Sequence, residues 1–126
     1  MSWQSYIDSN LVGSGKFSRA AILGQQGGVW AASPGYELST EEQKEVTDAH
    51  NNLSHTMSSG LKLAGQRFFY TSADTRSIYL NSQAGGAIVL KTKQAIIVAE
   101  YAAPIQAVEA AQQVESLADY LISVGF

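Results

Sequence analysis

Trp3 and Tyr6 stand three residues apart in "MSWQSYID", a spacing that puts both rings on one face of a helix. Tyr120 and Phe126 close the last segment, and Trp30 sits in an apolar run far from either. Such rings do one of two things. They fill a core, or they gather on an open surface and line a binding groove. Residue types alone leave both readings open.

Other candidate chemistry fails on spacing. "GSGK" at 13–16 ends like a phosphate-binding loop, but that loop needs a glycine five positions before its last one, a Ser or Thr after the lysine and a preceding strand. Asn10, Phe17 and a helical segment stand there instead, so the stretch reads as a helix stop. His50 and His55 lie five apart in an Asn/Ser-rich, loop-like stretch. They match no zinc pattern and read as surface histidines. No nucleophile, base and orienting acid assemble around them, so neither an enzyme nor a cofactor is expected.

The rings need elements to hold them. "SWQSYIDSNLV" repeats apolar residues at 3, 6, 7 and 11, which predicts a helix over 2–12. "FSRAAILG" and "GVWAAS" flank "QQGG" and predict a β-hairpin. Ser39 and Glu42 have capping-box spacing, so a short helix starts there. With only Val46 and Ala49 as apolar anchors, it reads as weakly attached and mobile. From "LKLAGQRFFYTSAD" to "QAIIVAEY" the chain reads as an antiparallel meander, with "AIIVA" a central strand covered on both faces. After Pro104, Ile105, Val108, Ala111, Val114, Leu117, Ala118, Leu121 and Ile122 form one helical stripe. The class is α+β, in one domain over 1–126.

At 126 residues, 45% apolar and 15% charged, the chain has the composition of a single globular domain. It has no cysteine, which removes disulfides and thiolate sites and suits a reducing compartment. No apolar run is long enough to span a membrane and no signal pattern opens the sequence, so a soluble intracellular protein is expected. The net charge of −3 is unevenly spread: Lys62, Arg67, Arg76, Lys91 and Lys93 face only Asp74 between 62 and 93. This segment is either a site for an anionic partner or a solvated sheet face.

Taken together, "MSWQSYID", "LVGSGK", "AAILG", "VWAAS", "LAGQRFF", "AD" before "RSIY", "KTKQAIIV" and "LADYLISVGF" resemble profilin, particularly the small profilins of fungi and amoeboid eukaryotes. The resemblance covers nearly every segment. It implies an antiparallel sheet of about seven strands, with the N- and C-terminal helices on one face and smaller helices on the other. It also implies a non-enzymatic, monomeric regulator of actin assembly in the cytoplasm and cytoskeleton. Three binding activities come with it: monomeric actin, proline-rich proteins such as formins, and phosphoinositide head groups. Nucleic acid is not among them.

Residue by residue, the resemblance assigns Trp3, Tyr6, Trp30, Tyr120 and Phe126 to a poly-proline groove, with Trp3 and Tyr120 as hydrogen-bond donors. It places Arg67, Ser72, Arg76, Lys91, Gln106, Val108, Ala111 and Gln112 on the actin face. Lys62, Arg67, Arg76, Lys91 and Lys93 remain for phosphoinositide, with Lys91 and Lys93 on one side of a strand. Three positions depart from the family pattern. Ser72 stands where an arginine is common, removing a bidentate partner for carboxylates. Val108 replaces a glycine at the start of the last helix, and Leu80 replaces a turn glycine. These departures leave open a rival reading, a proline-rich-peptide or phosphoinositide-binding adaptor with weakened actin binding.

Overall fold

A computed structural model describes residues 2–126. Helix α1 (Trp3–Ser5) widens at once into a π-helical stretch (Tyr6–Leu11) and closes with a 3-10 turn (Val12–Ser14). Strands β1 (Arg19–Gly24) and β2 (Val29–Ala32) precede helices α2 (Thr40–Asp48) and α3 (Leu53–Ser59). Strands β3 (Leu61–Leu63), β4 (Gln66–Ala73), β5 (Ser77–Asn81), β6 (Gly85–Lys91) and β7 (Ala95–Ala102) follow, then helix α4 (Ala107–Ser123). No helix among the described residues is long and apolar enough to cross a membrane.

All strands lie in one antiparallel sheet, ordered β2-β1-β7-β6-β5-β4-β3. Successive strands of the meander pair through short turns. Ala64 (φ 50°) and Gly65 (φ 88°) make the two-residue turn between β3 and β4, the geometry that suits the twist of a tight hairpin. Pairing β7 with β1 then joins the meander to the first hairpin.

Strand β7 is covered on both faces, as its unbroken apolar run predicts. Ala95, Ile97 and Ala99 pack towards α4 and the N-terminal segment, while Ile96 and Val98 pack with residues of α2 and β3. Each fully buried Ile or Val contributes about 1.5–3 kcal/mol, so the alternation along this strand holds both layers. The fold is therefore the α+β arrangement expected, with the terminal helices on one face and the small helices on the other.

Helix α4 buries Ala110, Val114, Leu117, Ala118 and Leu121, a narrower stripe than the sequence suggests. Val108 is 74% exposed. It lies about 200° around the helix from Ala110, so it faces away from the core. Ile105 precedes the Gln106 cap and is only half-buried.

Four local expectations are corrected. Helix α2 is not weakly attached: Val46 and Ala49 are buried, and so is the Glu42 carboxylate. That carboxylate accepts from the Ser39, Ala64 and Gly65 backbone N–H groups at 2.8, 3.2 and 2.9 Å. A count of apolar anchors misses a charged one. Burial opposes its ionisation, but these backbone donors and nearby Lys62 hold its pKa below the usual glutamate value.

The stretch around His50 and His55 is not a loop throughout, since α3 occupies Leu53–Ser59. Its Ser- and His-rich composition hides the pattern, and buried Thr56 anchors it. His50 is half-buried rather than a surface residue, and its Nε2 donates to the Arg76 carbonyl at 2.8 Å. Finally, Leu80 stands inside β5 and is 1% exposed. It fills the core and does not replace a turn residue.

Candidate functional site

Both ends of the chain are fastened where the rings meet. Ser2 caps α1: its Oγ accepts from the Ser5 N–H at 3.2 Å, and the Ser5 Oγ accepts from the Ser2 N–H at 3.1 Å. This fixes Trp3 in the first turn. Gln4 Nε2 donates to the Ala32 carbonyl at 2.9 Å, tying that turn to β2, which carries Trp30. Gly24 of β1 lets the Trp30 ring lie close, since a Cβ there would stand 2.7 Å from the indole Nε1.

At the other end, Gly125 takes a left-handed conformation at φ 99°. The Phe126 N–H bonds the Leu121 carbonyl at 2.8 Å and the Gly125 N–H bonds the Ile122 carbonyl at 3.1 Å, the paired bonds of a Schellman cap. The chain reverses there. The Phe126 backbone oxygen accepts from the Gln94 N–H and the Thr92 hydroxyl, each at 2.7 Å. Phe126 is thereby held against the sheet.

The rings form one connected set. Trp3 contacts Trp30 at a centroid distance of 4.7 Å, Phe126 at 5.0 Å and Tyr6 at 5.6 Å, and Tyr6 faces Tyr120 at 6.2 Å. Three of these pairs are edge-to-face, an arrangement worth about 0.5–1.5 kcal/mol beyond burial. Tyr6 is 9% exposed and forms the floor; Trp30, Tyr120 and Phe126 are 38%, 48% and 37% exposed and form open walls. Desolvation and the neighbouring Tyr120 phenol raise the Tyr6 pKa, so Tyr6 stays a neutral hydroxyl through the physiological range. The arrangement is an apolar slot with neutral donors, suited to an uncharged, extended ligand.

The Profilin family model matches residues 1–126. The chain belongs to the profilin family. It is 45% identical over 126 residues to profilin-1B of Acanthamoeba castellanii, with the whole of both chains covered. The crystal structure of Schizosaccharomyces pombe profilin superposes with a TM-score of 0.95 at 41% identity, covering 99% of this chain and 100% of that one. Mouse profilin IIa, in complex with a double repeat from the FH1 domain of mDia1, shares the fold at a TM-score of 0.81 and 21% identity, over the full length of both. Profilins are actin-binding, cytoskeleton-regulating proteins and not enzymes.

A second concave surface of this profilin lies between the start of α4 and the sheet. Ser72, Tyr79, Tyr101, Val108 and Ala111 border a cavity of about 470 Å³. Of the positions assigned to actin, Ser72, Val108 and Ala111 thus meet, while Gln106 at the N-cap of α4 and Gln112 within it lie exposed. Sequence reasoning passed over Tyr79 and Tyr101 of this surface, and over Phe69, which is 63% exposed on β4 and does not border the cavity. Phe68 and Phe69 are adjacent on β4 and point to opposite faces, and there only Phe68 is buried.

The cations do not converge. Lys62 and Arg67 sit opposite each other on β3 and β4, and Arg67 also donates to the Ser59 carbonyl at 2.9 Å. Arg76 is clasped by α4, with Nε 2.8 Å from Glu115 and Nη2 2.9 Å from Asp119. Glu115 also receives the Ser77 and Tyr79 hydroxyls at 2.6 and 3.1 Å. Lys91 ends β6, and Lys93 lies beyond it in the β6–β7 turn, so the two do not share one side of a strand.

Proposed function

We propose that this profilin regulates actin assembly in the cytoplasm by holding actin monomers on one surface and proline-rich segments in the aromatic groove. The observation that carries the reading is the connected five-ring set, open to solvent, at the junction of both chain ends. A polyproline II rod has three residues per turn and no internal hydrogen bonds. Flat rings stack on its prolines, while the Trp3 indole and the Tyr120 hydroxyl donate to its free carbonyls. Because the rod is already extended, little ordering entropy opposes binding.

The fold neighbour from mouse holds an FH1 repeat of mDia1, which supports proline-rich partners of the formin type. Actin docks on the cavity bordered by Ser72, Val108 and Ala111, away from the rings, so both ligands bind at once. A proline-rich tether then raises the local concentration of actin near a growing filament. Phosphoinositide binding through Lys62, Arg67, Arg76, Lys91 and Lys93 is the weaker part of this reading. The five are dispersed, and anionic lipid is gripped by clusters of cations.

The deciding experiment is retention on poly-L-proline. Trp3→Ala is expected to lose about 2 kcal/mol of binding, roughly 30-fold, while keeping its far-UV circular dichroism. The exposed Tyr120→Ala serves as a second variant that leaves the core intact. Unchanged retention in both overturns the groove.

A second reading, a proline-rich-peptide adaptor with weakened actin binding, is favoured by one observation. Ser72 supplies no cation, and Arg76 is committed to Glu115 and Asp119. Pyrene-actin assembly separates the two: an adaptor leaves spontaneous nucleation unaffected at tens of micromolar protein, and a monomer-binding profilin suppresses it.

A further inference from the structure

The aromatic groove does not end at Trp30. Beyond the indole lies a cavity of about 340 Å³, bordered by Trp30, Gly24, Gln25, Gln26, Lys93 and Gln94. No acidic side chain borders it, and Lys93 has no acidic partner within 4 Å among the described residues. The cation stands on a turn pinned from both sides. Gln25 donates from its side chain to the Thr92 carbonyl and from its backbone to the Gln94 carbonyl at 2.9 Å. The Gln94 side chain donates to the Gly125 carbonyl at 2.9 Å, and its backbone donates to Phe126 at 2.7 Å. Each of these side-chain amides keeps a second N–H hydrogen free for an incoming oxygen.

The opposite end of the groove differs. There Tyr6, Asn10, Gln113, Ser116 and Tyr120 border a cavity of about 340 Å³ without a charged group, and Gln113 already donates to the Asn10 carbonyl at 2.6 Å. The two ends of the slot therefore differ in their side chains, with a lysine beyond Trp30 and no charged side chain beyond Tyr120. Ring stacking on prolines reads neither the sequence flanking the rod nor, strongly, its direction. A single charge at one end reads both.

We infer that Lys93 is a specificity residue of the groove, selecting proline-rich segments that carry an acidic side chain immediately beyond the proline run at the Trp30 end. This rests on the reading of the rings as a site for proline-rich segments. A peptide carboxylate fits better than a membrane surface. Lys93 is removed from the Lys62–Arg67 pair on β3 and β4, and one exposed lysine adds only about 1 kcal/mol towards anionic lipid.

The test uses decaproline and four capped relatives bearing one Glu or one Lys at either the N- or C-terminal flank, with binding followed by tryptophan fluorescence. In the unmodified protein, at least one Glu-flanked peptide should bind about threefold more tightly than its Lys-flanked counterpart, the scale of an exposed ion pair. That ratio should fall towards one in Lys93→Ala, invert in Lys93→Glu and shrink at 0.5 M salt. Decaproline binding to the unmodified protein is the control. Its absence overturns the groove and this inference together, whereas decaproline binding with a ratio of one, or a ratio that survives Lys93→Ala, overturns this inference alone. A Lys93→Ala variant that weakens capture by phosphoinositide-containing vesicles while leaving the peptide ratio unchanged would assign the lysine to lipid instead.

Discussion

Five rings drawn from the first turn, the second strand and the last seven residues meet in one connected set, whereas five cations confined to residues 62–93 are scattered over the molecule. The difference is physical. Aromatic side chains gain by touching, through burial and edge-to-face contact, and the helices that carry Trp3, Tyr6 and Tyr120 share one core layer with Ala20, Ile22 and Ile97 of the sheet. Cations gain nothing by touching. The two arginines are drawn to separate acceptors, Arg67 to the Ser59 carbonyl and Arg76 to Glu115 and Asp119. Closeness in sequence is also a poor guide in an antiparallel meander, because each turn sends the next cation to another strand.

The comparison breaks most severely if the shared support of the rings is removed. Leu121→Ala deletes a fully buried anchor of α4, next to Tyr120 and at the Schellman cap. It is expected to cost about 2–5 kcal/mol of folding stability in urea unfolding, with loss of poly-L-proline retention at temperatures where the wild type still binds. A loss under 1 kcal/mol would mean that the ring set does not depend on the packing of α4.

A smaller effect tests the surface that lacks a cation. Ser72→Arg restores a bidentate donor beside Val108 and Ala111, and should tighten actin binding by about 1.5 kcal/mol, roughly tenfold. No gain in sedimentation or pyrene-actin assays would remove Ser72 from the actin surface.

The smallest effect concerns His50, which joins the basic segment to the small-helix face. Burial pushes its imidazole pKa below the usual histidine value, Lys91 adds to the effect, and the Arg76 carbonyl and Asp74 oppose it. The folded protein thus binds this proton less readily than the unfolded chain. Stability from His50 is fully present above about pH 6.5 and is lost as pH falls below it. His50→Gln should flatten that stretch of the stability profile and leave the carboxylate-driven decline at lower pH. A profile identical to the wild type would show that His50 does not titrate across unfolding.

The periodic parts of the fold were legible. The apolar run of β7, the capping box at Ser39 and Glu42 and the turn residues "QQGG" each act through near neighbours, so the sequence states them directly. What escaped had a distant partner. Glu42 became an anchor only because the β3–β4 turn presents two N–H groups to it. Likewise α3 is held by a buried threonine and not by an apolar stripe.

The sequence by itself determined the local elements other than α3, the family and which residues carry rings or charge, because those follow from residue type and short spacing. Only the tertiary structure decided which of them are neighbours. It put Phe126 against Trp3, clasped Arg76 under α4 and moved Lys93 from a strand face to the mouth of the aromatic slot. Those outcomes depend on strand order, on the reversal at Gly125 and on competition among partners in space, none of which is written in any single stretch of residues.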